Sequence, residues 1–582
     1  MSAIFGVVGA VSSRELETMG ERLRHRGAVV TCEEVAPGVY LGVNDAEPRE
    51  LYHRNGVAAV VDLSSIADPG EEIAVVDSLA GGRGLPLEQW SRPFAAAAWD
   101  ERTRSLLLAR DFVGQKPLHF CALSGGVVAF ATEYKALLAL ERLPAEPDLD
   151  AIQYLQCHKT TPAGRTPLKD VGVVAPGTVT RLDADGHLLG REEATPLRVD
   201  VRAGTEAAIR DELARRCIEA VRPLVADAPR VAISLSGGID SLSVAFVARR
   251  CAPEVELTGY TAGHGTDDAE MRTAALAMER LGGRHEPVIV TSERLHELLP
   301  EAIWYFESPI GRTETIQMLE IGRVARTQGF DWLLSGLGSD TLFAGMPKHR
   351  LLWLSQKLPP LRRDLYEFYE LTQSGLGPRR PAARLMDAIY FRGAVPPVPR
   401  VDGAAWAPEP TRFPPVDPEF LNHVMAENGH EKRSRSLMRL ERPLQAHGID
   451  LVSPFFDRGL MDYAYTIPSR LKIRRGVDKY ILRQAMRSIV SPELLKVPKG
   501  IARIRQDRSF ADVLQKLAAH YLGDGELERR SWFRREDISA VLGKLNRRRY
   551  HPEAAMRLWT AIGTEIWARL YLDRRGEKPS LT

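Results

Sequence analysis

The string Ser236-Gly237-Gly238-Ile239-Asp240-Ser241 constrains the fold more than any other feature of this chain. It follows the apolar run 231–235 and leads into a helix-compatible segment. A strand that ends in paired glycines and passes at once into a helix is part of a strand–helix–strand unit. The glycines let the main chain turn sharply and approach a ligand with no Cβ in the way. The N–H groups left free there, with the helix N-terminus, make an anion site. Asp240 adds a carboxylate, which suits phosphates only when a cation such as Mg2+ accompanies them. A plain turn with Ser and Asp as caps is the simpler reading of any fragment of this string; the six residues together, in this setting, favour the anion site.

The surroundings extend the pattern. A helix is expected over 206–221, stopped by Pro223, then a strand at 231–235 and a helix from about Asp240. A strand near 255–262, a helix over 268–281, a strand at 287–290, another helix and a strand at 331–334 follow. Alternating strands and helices imply a parallel sheet covered on both faces. Ligands of such sheets lie beyond the carboxyl ends of the strands, so the loops after Leu235 and Leu334 are expected to share one crevice. Up to about residue 200 the chain reads differently, as short strands at 4–8, 57–61, 105–109, 126–132 and 177–182 with Gly and Pro between them. The 582 residues exceed one core, and the change of rhythm places two domains at 1–200 and 203–582. Residues 375–418, rich in Pro, Gly and Arg, read as a long irregular insertion. The chain beyond about 430 reads as largely helical, and no internal repeat is visible.

A formal net charge of +2 gives no argument for nucleic acid or a membrane surface. The basic run Arg547-Arg548-Arg549 reads as a solvated helical face. Five scattered cysteines, at 32, 121, 157, 217 and 251, show no metal spacing, which fits a reducing compartment and no structural zinc. The apolar run at 4–11 lacks a basic flank, and no stretch approaches the roughly 20 residues of a membrane span. A cytoplasmic protein with no nucleic-acid or membrane partner is expected.

The hexapeptide resembles the pyrophosphate loop of N-type ATP pyrophosphatases. A second string, Ser335-Gly336-Leu337-Gly338-Ser339-Asp340, followed by Phe343-Ala344-Gly345, resembles the SGxGSD segment of asparagine synthetases and β-lactam synthetases. Two further stretches come in that family's order: Ala446-His447-Gly448-Ile449-Asp450 with Ser453-Pro454-Phe455-Phe456-Asp457, then Asp478-Lys479-Tyr480-Ile481-Leu482-Arg483 with Pro498-Lys499. The resemblance implies an α+β Ntn-type glutaminase-like sandwich, then an α/β parallel-sheet ATP pyrophosphatase domain with a helical C-terminal part. It implies ATP and Mg2+, and amide synthesis through an acyl-adenylate. Asp240 and Asp340 would hold Mg2+. Ser236, Gly238, Asp240 and Ser241 would cradle the pyrophosphate, with Gly237 and Ser335 in the same two loops and Lys479 as a point charge. Leu235, Ala262 and Gly336 fall at the family's adenine contacts. Lys499 matches the catalytic lysine that stabilises the oxyanion when the amine attacks. Glu441, just before the segment that borders the site in the family, is the carboxylate offered as base for the amine or as that base's partner.

The departures are informative. Leu337 stands where β-lactam synthetases use a tyrosine and asparagine synthetases a glutamate, and Thr341 replaces the glutamate after the SGxGSD aspartate. The first domain keeps His25-Arg26-Gly27, Ala109-Arg110-Asp111 with Gly114, Lys116-Pro117-Leu118 and the string from Phe130 to Leu138. It has Ser2 for the family's cysteine, Val61-Asp62-Leu63-Ser64 near the Asn-Gly-Glu stretch, and Ser91-Arg92 for Asp-Gly. A silent glutaminase domain is therefore expected, with the amine carried by the substrate. Family members of that kind include β-lactam, carbapenam and lasso-peptide macrolactam synthetases. Macrolactam closure is the first expectation. Its partners would be a carboxylate- and amine-bearing substrate such as a ribosomal precursor peptide, with its protease and leader-binding protein. β-Lactam formation, another natural-product amide ligation, ammonia-dependent asparagine synthesis and a noncatalytic scaffold are the alternatives. Retention of Asp240, Asp340, Lys479 and Lys499 speaks against the scaffold.

Overall fold

The structure, a computed structural model, describes the chain except residues 1, 65–68, 82–91, 266–267, 375–397, 407–416, 496–507, 546–550 and 580–582, and gives backbone alone at 69, 371–374, 428–436 and 508. Among the described residues, twelve strands build the first domain. They are β1 (Ala3–Val8), β2 (Val29–Ala36), β3 (Val39–Asp45), β4 (Tyr52–Arg54), β5 (Val57–Leu63) and β6 (Phe94–Asp100), then β7 (Ser105–Arg110), β8 (His119–Leu123), β9 (Val127–Ala131), β10 (Gly172–Val173), β11 (Thr178–Leu182) and β12 (Leu188–Glu193). They form two antiparallel six-stranded sheets, ordered β10-β8-β9-β1-β3-β2 and β12-β11-β7-β6-β5-β4.

The period of two explains how the sheets pack. In β6, Ala95, Ala97 and Trp99 face Ile4, Leu41 and Phe130 of the other sheet. The alternate residues Phe94, Ala96 and Ala98 face Val75, Val76 and Leu79 of the helix Pro69–Ala80. Buried on both faces, this strand reads as an unbroken apolar run. The result is the expected sandwich of two sheets with helices outside.

The second domain holds a parallel sheet ordered β15-β14-β13-β16-β17, with β13 Arg230–Ser234, β14 Glu256–Gly263, β15 Arg284–Ile289, β16 Trp332–Ser335 and β17 Asp450–Val452. Val231, Ala232 and Ile233 are fully buried because helices cover both faces. Two expectations shift, and one element is new. The first helix runs Glu206–Val225, straight through Pro223; a proline in the last turn costs one hydrogen bond near an end that frays anyway. β15 begins at Arg284, three residues earlier than its apolar run. The sequence reading did not anticipate β17, three buried residues that close the sheet's edge against the first domain. Most of the expected 375–418 insertion, and Arg547-Arg548-Arg549, lie outside the described residues. Among those described, no helix is long and apolar enough to cross a membrane.

Candidate active site

β13 and β16 are parallel neighbours with Ser234 opposite Ser335, so the loops leaving their carboxyl ends start level with each other. In the first loop Ser236 is exposed. Gly237 takes φ +67 and has the side chain of Thr273 against it, where a Cβ would come within 2.9 Å. Gly238 caps the helix Ile239–Cys251 with no side chain in the way, leaving its first N–H groups for an anion. Ser241 Oγ braces the loop, accepting from Ser236 N at 3.1 Å and donating to Gly238 O at 3.2 Å.

The second loop leaves β16 through Gly336. A Cβ there would sit 2.5 Å from the Asp240 carbonyl carbon and 2.6 Å from Ser241 N; the two loops touch backbone to backbone, which only glycine permits. Gly338, at φ +96, starts the short helix Ser339–Leu342, whose first turn carries Asp340. Ser339 Oγ donates to Asp240 Oδ1 at 2.7 Å and ties one loop to the other. Leu337 is half-buried, and Ser453 Oγ fixes its carbonyl at 2.5 Å. Thr341 Oγ1 turns back to Gly338 O at 2.7 Å.

Lys479 completes the cluster. Its ammonium pairs with Asp340 Oδ1 at 2.5 Å and with both oxygens of Asp240. Burial alone would lower this lysine, but Asp240 and Asp340 more than offset that and hold it above its ordinary range, so it stays charged. The lysine side chain is 2% exposed, whereas Asp240 and Asp340 keep 18% and 31%. Two carboxylates thus converge at an accessible point between two N–H-rich loops. Hard oxygen donors of this kind suit Mg2+ beside phosphates. Leu235 lies beneath the cleft, its N–H donating to Tyr260 O at 2.9 Å and its carbonyl accepting from Thr261 Oγ1 at 2.6 Å. Ala262, half-buried, is the next-to-last residue of β14, at the same carboxyl end of the sheet. Lys499 lies outside the described residues.

Glu441 needs correcting. It is not in the cleft but 1% exposed in the contact with the first domain. Its Oε1 accepts from Gln115 Nε2 at 3.1 Å and Gln445 Nε2 at 2.9 Å. Burial pushes this carboxyl well above the usual range, against the pull of Lys116. So placed, it cannot take a proton from an amine in the nucleotide cleft.

The pocket under Ser2 is filled by the protein's own charges. Ser2 Oγ donates to Asp62 Oδ1 at 3.2 Å. Arg26 Nη2 holds Asp62 Oδ2 at 3.2 Å, while Lys116 Nζ is 3.4 Å from Asp62 and 2.8 Å from Asp450 of β17. Burial would lower Lys116, yet Asp450 and Asp62 together raise it. Arg26 also donates to Glu133 at 3.0 Å and Gln445 at 2.9 Å. Ser91 lies outside the described residues. The sequence reading assigned no role to Ser339 as a tie on Asp240, although it stands inside the quoted string. The pairing of Lys116 with Asp450 leaves no short-range sequence signal.

Two family models match this chain. The model of the asparagine synthase family matches residues 212–569, and that of a glutamine amidotransferase domain matches residues 82–191. A Mycobacterium tuberculosis protein that carries the name of a glutamine-hydrolysing asparagine synthetase is 28% identical, over 82% of this chain and 76% of its own. Asparagine synthetase 1 of Bacillus subtilis is 25% identical, over 70% of this chain and 66% of its own. The carboxyethyl-arginine β-lactam synthase of Streptomyces clavuligerus is 27% identical, over 68% and 61%. With the family model spanning more than half the chain and the two phosphate-loop strings meeting at one cleft, this chain belongs to the asparagine synthase family and is an ATP-dependent carbon–nitrogen ligase that forms AMP and pyrophosphate.

Proposed function

We propose that this ligase adenylates a carboxylate of its substrate and closes it onto an amine of the same substrate, without hydrolysing glutamine. The observation that carries the reading is the contact of Ser2 Oγ with the Asp62 carboxylate, itself pinned by Arg26 and Lys116. A glutamine carbonyl attacked there would develop negative charge beside a carboxylate, the reverse of an oxyanion hole. The first domain then serves as structure, and the amine comes from elsewhere.

In the cleft, Mg2+ held by Asp240 and Asp340 would neutralise charge on the departing pyrophosphate. The N–H groups of the Gly237–Gly238 turn and the following helix would donate to phosphate oxygens, with Lys479 as a further cation. By family resemblance Lys499 would meet the oxyanion of the second step. Leu337 and Thr341 offer no group able to take the amine's proton. An amine that arrives positioned on its own substrate needs less from the enzyme than free ammonia does. A macrolactam synthetase acting on a ribosomal precursor peptide, beside a protease and a leader-binding protein, is the reading we favour. Formation of a β-lactam is the second, because the S. clavuligerus synthase is among its relatives.

The test supplies the purified chain with ATP, Mg2+ and a candidate core peptide. The expected result is pyrophosphate release together with a peptide lighter by one water in mass spectrometry, and no glutamate from added glutamine. Ser2-dependent glutamate release would refute the silent first domain; turnover only with aspartate and ammonium would replace the macrolactam reading.

A further inference from the structure

We propose that Gly345 and Arg350, from the segment just after the SGxGSD string, are positioning residues that aim Lys479 at the pyrophosphate; this rests on the role given to Lys479 above.

The main chain of Lys479 is held in an unfavourable state. Its φ is +54, a left-handed conformation that costs a non-glycine residue about 1 kcal/mol or more unless its surroundings impose it. The surroundings do so from both sides. Asp478, the residue before, takes a two-pronged ion pair from Arg350, with Nε at 2.8 and 3.0 Å and Nη2 at 2.6 Å. The carbonyl of Asp478 accepts from Arg483 Nε at 3.3 Å, and that of Lys479 from Arg483 N at 2.9 Å. A planar guanidinium fork fixes an orientation that a lysine's single ammonium does not.

The side chain of Lys479 then crosses Gly345. A Cβ on Gly345 would overlap Lys479 Cε and Asp340 Oδ1 outright and come 2.6 Å from Lys479 Nζ. Gly345 does not have a left-handed φ, so alanine is conformationally acceptable there. What obstructs it is the tip of Lys479 and the carboxylate of Asp340, both of which can swing aside. Gly345→Ala is therefore a substitution that the fold tolerates and that displaces two groups of the site. Arg350 and Gly345 divide the work: one sets where the lysine starts, the other lets it arrive.

The experiment measures binding of inorganic pyrophosphate with Mg2+ by calorimetry, and thermal melting, for Gly345→Ala, Arg350→Lys and Lys479→Ala, singly and with Lys479→Ala as background. Expected is a loss of pyrophosphate affinity of about tenfold for Gly345→Ala and about threefold for Arg350→Lys, with melting shifted by less than about 3 °C. In the Lys479→Ala background Arg350→Lys should add no more than about a twofold loss, because it acts through that side chain, and Gly345→Ala should keep only the part of its loss that comes from displacing Asp340. Equal losses in the two backgrounds, or no loss in the otherwise unchanged protein, would overturn the proposal while leaving the site assignment in place. Unchanged pyrophosphate affinity in Lys479→Ala alone would overturn the assignment of Lys479 itself, and the proposal with it.

Discussion

In the cleft between the two glycine loops one ammonium, Lys479, is shared by Asp240 and Asp340, whose side chains are 18% and 31% exposed. In the first domain one ammonium, Lys116, is shared by Asp62 and Asp450, and none of the three exceeds 1%. The residue types are the same and the consequences differ. The cleft is framed by Gly237, Gly336 and Gly345, where a Cβ would strike Thr273, the Asp240–Ser241 backbone and Lys479, so their bare backbones let the two loops and the lysine draw together around the carboxylates. The pocket under Ser2 is closed by Arg26, Gln115 and Gln445, which satisfy its charges from within. A cation between two carboxylates is a site when something can still reach it, and a cross-link between domains when nothing can.

Four substitutions test that contrast. The largest effect is expected in the cleft: Asp340→Ala should lower Mg2+-dependent pyrophosphate release by about a thousandfold or more, with the melting temperature nearly unchanged. Release at an undiminished rate would show that phosphate charge is handled elsewhere. Next, Lys116→Met leaves Asp62 and Asp450 buried without their ammonium and should cost about 3–5 kcal/mol in denaturant unfolding. A loss below about 1 kcal/mol would mean that the pair is not sealed.

Glu441 gives a smaller, pH-dependent effect. Its carboxyl is held well above the usual range by burial, so the folded chain keeps a proton that the unfolded chain has lost. Stability from this group is thus present below the ordinary glutamate range and is lost as pH rises from there through the raised value. Glu441→Gln, which keeps the shape and removes the titration, should flatten that decline; an unaltered pH profile of stability would contradict the assigned environment. The smallest effect belongs to Ser2→Ala. It removes one hydrogen bond, worth about 1 kcal/mol, and should leave pyrophosphate release as it was. A fall in product formation with glutamine as the only amine source would reverse the reading of that pocket.

Much of the cleft was legible in the chain. The SGGIDS and SGLGSD strings each join a buried strand to a helix through glycines, and both the strands and the turns that follow obey local rules. Placing the two strings on one crevice needed only the topology of parallel sheets. The edge of that sheet was less legible. β17 is three residues long, with no alternation to mark it, and owes its pairing to Trp332–Leu334 across more than a hundred residues. Pro223 misled for the opposite reason: a local rule was applied to a helix whose end is fixed by packing, with Val225 fully buried.

By itself the sequence determined the parallel sheet, the glycine turns and the sharing of one crevice by the loops that carry Asp240 and Asp340, because those features follow from backbone geometry and short-range residue chemistry. Only the tertiary structure decided the fate of Glu441, Asp62 and Lys116. Their partners lie 326 residues away for Gln115 with Glu441 and 334 for Lys116 with Asp450. Whether a carboxylate acts as a base or as a buried strut depends on the desolvation those distant neighbours impose, and no local pattern encodes it.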